Sequence, residues 1–125
     1  MTALVDQKCR YNDEGKAPVP EATAQEYMQQ LAGWVMNEAG NEISREFLFK
    51  NYYHTMNFVN AIAWIANKEA HHPDMEVNYG RCLVKFTTHD IGNSLSINDF
   101  ITAAKVNALL DAGDFGPKLV EPENN

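Results

Sequence analysis

Between Asn51 and a His71-His72-Pro73 break lies the longest uninterrupted helical pattern in the chain, and it is apolar on more than one face. Met56, Val59, Ala63 and Ala66 recur at helical spacing as one stripe, with Phe58, Ile62 and Ile65 as a second beside it. Asn51 is a suitable N-cap, and proline disfavours helical geometry in the residue before it, so a helix is predicted over 52–70. A helix with so broad an apolar arc has to be covered, by a sheet, by other helices or by a second copy of the chain.

On both sides of this helix the hydrophobic period changes to two. Upstream, Trp34, Val35 and Met36 begin a strand, Glu38-Ala39-Gly40-Asn41 is turn chemistry, and residues 43–50 alternate. Ile43, Phe47 and Phe49 point one way, and Ser44, Glu46 and Lys50 the other. Leu48 interrupts the polar side and could cover a partner subunit or a helix end. Downstream, residues 75–79 and 82–87 read as a hairpin turning at Gly80, with Val77, Tyr79, Cys82, Val84 and Phe86 as its apolar positions. Two shorter helices flank these pairs. Thr23 with Glu26 has capping-box spacing and predicts a helix to about Leu31, stopped by Gly33. Ser96 or Asn98 caps the last helix, whose apolar face is Phe100, Ile101, Ala104, Ala108 and Leu109.

The order is therefore α-β-β-α-β-β-α, an α+β fold with a four-stranded antiparallel sheet and helices on one face. Residues 1–20 are expected to be an irregular N-terminal arm, 21–112 a single domain, and 113–125 a flexible C-terminal tail rich in Gly, Pro, Glu and Asn.

With 125 residues and 45% hydrophobic content, the chain can bury a core of its own. Its ten basic residues are scattered among 17 acidic ones, for a net charge of -7. Binding a phosphate backbone needs clustered Lys and Arg, so neither nucleic acid nor an anionic membrane is expected as a partner. Cys9 and Cys82 stand alone rather than in a disulfide framework, which suits a reducing cytosol. Cys82 is expected to be a small buried apolar residue and Cys9 to lie on a loose segment. The first sixteen residues lack the apolar core of a signal peptide, and the longest apolar stretch, 61–66, is far too short to span a bilayer, so a cytoplasmic location is expected.

Chemistry points to the histidines: His54, His71, His72 and His89. His71 and His72 leave a helix end, while His89 leaves a strand end, and the return through the hairpin could bring these ends side by side. Imidazole titrates near neutral pH, so converging histidines can supply both a proton donor and an acceptor. Histidine beside proline can equally serve only to cap helix carbonyls. A metal site is the other rival, but adjacent side chains such as His71 and His72 diverge on helix and strand alike. Glu69, Asp74, Glu76 and Asp90 lie nearby in sequence without HExxH or CxxC spacing, so no metal is expected. Phosphate loops and GxSxG elbows are absent, and neither cysteine has a nucleophile's setting. His54, with Tyr53 and Asn57, is expected at the surface or in an interface.

His71-His72-Pro73, Tyr79, His89 and Asp99 together resemble the signature of the pterin-4a-carbinolamine dehydratases. The resemblance extends to Leu31 and Trp34, Arg45-Glu46-Phe47-Leu48-Phe49, Asn51-Tyr52, Thr88-His89 and Asp99-Phe100, and covers about residues 21–110. It implies a four-stranded antiparallel sheet packed by helices. It also implies dehydration of 4a-hydroxytetrahydropterin, formed when aromatic amino-acid hydroxylases use their cofactor, to quinonoid dihydropterin. The catalytic set implied is His71, His72 and His89, with His71 and His89 as the proton-transfer pair and His72 helping to hold the pterin. Substrate contacts fall on His71, His72, Pro73, Thr88, His89, Asp90 and Ile91, with Asp99 in support. No metal or organic cofactor is implied, since the substrate is itself the spent cofactor.

Two positions depart from the family pattern. Asn67 stands where a charged residue is usual, and Glu69 lies two residues closer to the histidines. The loop from His89 to Asp99 is looser and a residue longer than the usual turn. The chief functional rival is a non-catalytic relative of the same fold, a dimerisation cofactor or assembly chaperone, which would not need the histidines. The broad apolar arc and Leu48 lead to an expected homo-oligomer, dimer or tetramer.

Overall fold

Alternation is clearest in the two central strands. The computed structural model describes residues 2–112, and its sheet has the order β1-β2-β4-β3 with every pair antiparallel. The strands are β1 (Val35–Met36), β2 (Ile43–Leu48), β3 (Asp74–Asn78) and β4 (Arg81–Phe86). Ile43 faces Phe86, Arg45 faces Val84 and Phe47 faces Cys82, so the apolar positions of both strands share one face. Ile43, Phe47, Cys82, Val84 and Phe86 are all fully buried there. The opposite face carries Glu46, Glu76, Arg81 and Lys85, joined as ion pairs such as Lys85–Glu76 at 2.9 Å. Such half-exposed pairs contribute little stability and mark a solvent-facing surface.

Three helices cover the apolar face, α1 (Glu21–Met28), α2 (Tyr52–Glu69) and α3 (Ile97–Ala112), which gives the α-β-β-α-β-β-α order among the described residues. In α2 the Asn51 side chain accepts from the His54 N–H, as an N-cap should. Phe58 packs its ring 4.6 Å from that of Phe47 and 5.1 Å from that of Phe49, and Ile62 and Ile65 follow it into the core. Burying each such side chain is worth about 1.5–3 kcal/mol. Met56, Val59 and Ala63 are only half-buried, because the sheet lies under the Phe58 side of the arc. Proline is not what closes the helix. Ala70 turns left-handed at φ 53°, and the His71 N–H reaches back to the Ala66 carbonyl at 3.1 Å, a Schellman-type end built on alanine rather than glycine.

The expectations for the start of α1, for Trp34 and for the hairpin are revised. α1 begins two residues before Thr23, with Pro20 at the N-cap position. Proline's fixed φ suits the start of a helix, and Thr23 falls inside the first turn. Trp34 precedes β1 rather than joining it, and donates Nε1–H to Asn107 Oδ1 of α3 at 2.7 Å. Val77 and Tyr79 are exposed. Val77 lies on β3, an edge strand, where alternation fixes which way a side chain points and not whether anything covers it. Tyr79 lies in the turn after β3 rather than in the strand. Of the two caps expected for α3, Ser96 serves, its Oγ accepting from the Asn98 N–H.

The N-terminal arm is irregular but packed. Two 3-10 turns, Leu4–Asp6 and Asp13–Lys16, carry it along α3. Leu4 is fully buried, and so, against expectation, is Cys9 at 6% exposure. Cys9 N–H donates to Glu69 Oε1 at 2.9 Å, the Tyr11 hydroxyl donates to the Glu69 carbonyl, and Arg10 and Asn98 exchange two bonds of 2.8 Å. Gly15 is required where the arm turns back, because a Cβ there would lie 1.8 Å from the Arg10 carbonyl oxygen. Burial pushes the Cys9 thiol up to about 12 and that of Cys82 up to about 11. The expected tail, 113–125, lies outside the described residues.

Candidate functional site

The end of α2, the end of β4 and the start of α3 meet at His71. Left-handed Ala70 turns the chain out of α2, and the imidazole of His71 stacks on Phe86, the last residue of β4, with ring centroids 5.9 Å apart and planes 12° from parallel. Its Nε2 lies 2.6 Å from Asp99 Oδ1. Asp99 is wholly buried in the first turn of α3, and its other oxygen accepts from the Ser96 N–H at 2.9 Å and the Thr88 hydroxyl at 2.7 Å. A carboxylate at a helix N-terminus is favoured by the unpaired N–H groups and the helix dipole.

His72 and His89 are held differently. His72 is exposed, and its Nε2 lies 3.1 Å from Asn67 Oδ1, one helical turn back along α2. Asn67, where a charged residue was expected from the family pattern, thus supplies a neutral amide to His72. Glu69 cannot stand in for it, because it faces the N-terminal arm and approaches Lys105 Nζ at 3.9 Å. His89 opens a 3-10 turn, His89–Ile91, after β4. Its Nδ1 lies 2.7 Å from Asn93 Oδ1 and its Nε2 3.5 Å from Asp74 Oδ2. Gly92 and Asn93 are both left-handed, at φ 72° and 59°, and this bend returns the Asn93 amide to the histidine.

Beside His89 opens a polar cleft of about 220 Å³ lined by Asn41, Glu42, Asp74, Thr87, His89 and Asn93. Asp90 is exposed, while Pro73 and Ile91 are half-buried. Among the described residues, no bond or ring contact joins His71, His72 and His89 directly. No group of three or more His, Cys, Asp or Glu there could hold a metal ion. His54 sits apart on the first turn of α2 with its Nδ1 buried and unpartnered. Asn93 is a site neighbour that sequence reasoning missed, while Asp74 was named only as an acidic neighbour of the histidines and Ser96 only as a helix cap. For Ser96 a signal was present, since Ser96-Ile97-Asn98-Asp99 has capping-box spacing.

Residues 17–109 match the family model for pterin 4 alpha carbinolamine dehydratase. A Nitrosomonas eutropha protein carrying the provisional name pterin-4-alpha-carbinolamine dehydratase is 53% identical over 108 residues, 86% of this chain and 93% of its own. A Stenotrophomonas maltophilia protein of the same provisional name is 55% identical over 111 residues, 89% of this chain and 95% of its own. Among solved structures, a transcriptional coactivator/pterin dehydratase from Brucella melitensis superposes with a TM-score of 0.70 at 30% identity, covering 74% of this chain and 98% of that one. A pterin dehydratase-like protein described as a RuBisCO assembly factor in the alpha-carboxysome shares the fold, with a TM-score of 0.52 at 20% identity, covering 64% of this chain and 92% of that one. This chain belongs to the pterin-4a-carbinolamine dehydratase family.

Proposed function

We propose that the protein dehydrates 4a-hydroxytetrahydropterin to quinonoid dihydropterin by general acid–base catalysis, with His71 and His89 as the proton-transfer pair. The observation that carries this reading is His71 Nε2 set 2.6 Å from a fully buried Asp99. In the reaction the C4a–O bond breaks as the departing hydroxyl takes a proton and leaves as water. N5 loses its proton, and its electron pair forms the C4a=N5 double bond. A carboxylate accepts, so the proton on His71 is at Nε2, and Nδ1 keeps a lone pair for the N5 proton. Both ring nitrogens of His89 face oxygens, so both can carry protons, and His89 is the donor to the hydroxyl. Exchange with solvent resets the pair. His72, Pro73, Asp90 and Ile91 frame the pterin from either side, and neither metal nor organic cofactor takes part.

A scaffold acting only as a coactivator or assembly factor would have no use for a histidine locked to a buried carboxylate, which favours the enzyme. The enzyme works in the cytoplasm beside an aromatic amino-acid hydroxylase, as a dimer or tetramer. Exposed Leu48, Tyr52, Tyr53, Trp64, Val77 and Tyr79 supply apolar surface for that assembly. Adding purified protein to a hydroxylase reaction should accelerate decay of the 4a-carbinolamine with no metal supplied. Activity abolished by a chelator and restored by zinc would replace this reading with a metal-dependent one.

A further inference from the structure

Thr88 and Ser96 carry no charge, but counting hydrogens around them gives a direction to the bonds. Thr88, Ser96, Asn98 and Asp99 are each less than a tenth exposed, Ser96 and Asp99 fully buried. The Thr88 hydroxyl has one proton, donated to Asp99 Oδ2 at 2.7 Å. The 2.7 Å contact between Thr88 Oγ1 and Ser96 Oγ is then the Ser96 hydroxyl donating to Thr88. Ser96 Oγ in turn accepts from the Asn98 N–H at 3.3 Å. Donation therefore runs one way, from the Asn98 backbone through Ser96 and Thr88 to Asp99, and bonds so chained polarise one another. The Ser96 N–H also ends on Oδ2, at 2.9 Å. With Oδ2 engaged twice, Oδ1 is left to accept from His71 Nε2, and Nδ1 of His71 meets no hydrogen-bond partner among the described residues.

We propose that Thr88 and Ser96 are positioning residues: acting through Asp99, they hold His71 as its Nε2–H tautomer and present Nδ1 as the proton acceptor. The kinetic part rests on the dehydratase reading, whereas the tautomer does not. A helix cap alone explains only part of the arrangement. It uses Oδ2 and the Ser96 N–H, but needs neither Oδ1 on a histidine nor a hydroxyl from Thr88, which lies outside α3. The relay also gives the Thr88 side chain a task other than the substrate contact implied by the family pattern.

The test is ring ¹⁵N NMR of His71, assigned by its loss in His71→Ala, at about pH 8 where free imidazole is neutral. The wild type should show a protonated Nε2 and a bare Nδ1. Thr88→Val and Ser96→Ala should relax this to a tautomer mixture, and Thr88→Ser should restore it. With 4a-hydroxytetrahydropterin, Thr88→Val should lower kcat about tenfold with KM within about twofold, and Thr88→Ser should recover it. Should Ser96→Ala fail to fold for want of its cap, Thr88→Val carries the test, since it leaves the cap intact. A wild-type Nδ1–H tautomer, or an unchanged tautomer in Thr88→Val, overturns the proposal. A raised KM at constant kcat and tautomer would make Thr88 a substrate contact instead. If the wild type does not dehydrate the substrate, the functional reading fails, while the NMR result still decides the relay.

Discussion

His71 and His89 stand at opposite extremes of how a fold can hold an imidazole. His71 has 12% of its side chain exposed, stacks on a core phenylalanine and bonds to a carboxylate that has three donors around it. His89 is 59% exposed and is held by an asparagine on its own loop and an aspartate on an edge strand. In the proposed reaction His71 is the acceptor, and fixing it in a buried network would cost no reorganisation at the moment of proton transfer. The same proposal makes His89 the donor, and its place on an open loop would let substrate enter and solvent protons replace the one given up. The packed half confers geometry, and the open half confers access.

The sharpest way to break this comparison is to remove each histidine in turn. His71→Ala and His89→Ala should each lower kcat by about 10²–10⁴-fold, the usual worth of a positioned acid or base. The double variant should fall little further, because either loss already interrupts the pair. Steady-state kinetics on variants shown by circular dichroism to be folded would check this, and an undamaged His89→Ala would remove the open half from the site. His72→Ala should raise KM more than it lowers kcat, as expected of a group that holds the pterin without moving a proton.

Stability should separate the halves in the other sense. Asp99→Ala strands the Thr88 hydroxyl and the Ser96 N–H, and a buried donor left without an acceptor costs about 1–3 kcal/mol. Urea unfolding should therefore show a loss of about 2–4 kcal/mol for Asp99→Ala, and Asn93→Ala, on the exposed loop, should stay within about 0.5 kcal/mol of wild type.

The core behind both halves should be the alkaline weak point. Burial raises the Cys9 and Cys82 thiols from an ordinary 9.0 to about 12 and about 11, so the folded chain keeps protons that the unfolded chain releases. Stability from this source is fully present below about pH 9 and is lost as pH rises through 11 toward 12. Urea midpoints measured upward from pH 8 should fall accordingly, and less steeply in Cys9→Ser than in wild type. The smallest effect belongs to His54→Ala, away from both halves, which should leave kcat/KM within about twofold; damage equal to that of His89→Ala, with folding retained, would relocate the active site.

The sequence made the scaffold more legible than the bonding. Asn51, two apolar stripes and the His71-His72-Pro73 break located α2, and alternation in β2 and β4 located the buried sheet face, because those signals are local and periodic. The hairpin misled at Val77, since periodicity carries no information about an edge, and at Tyr79, which falls in the turn rather than in β3. The start of α1 was missed because Pro20 and Thr23 are both good openings, and nothing local ranks them. Three site histidines and Asp99 could be named, but their partners could not. His71 meets Asp99 across 28 positions and Cys9 meets Glu69 across 60, separations at which no local pattern in the sequence names the partner. Ser96 was visible as a cap, and its second task depends on Thr88 lying alongside.

Ala70 bears on how this site could be carried elsewhere. An alanine held left-handed costs about 1–2 kcal/mol that a glycine would not. Its Cβ, however, leaves the backbone few directions in which to leave α2, and Pro73 restricts the far side of the pair in the same way. The two histidines therefore ride on a short segment stiffened at both ends. A glycine in place of Ala70 would give a graft that folds more readily and aims less well. Transplanting the motif into a designed helix–strand junction thus means moving residues 70–73 as one piece, with the histidine geometry set by the residues that flank it.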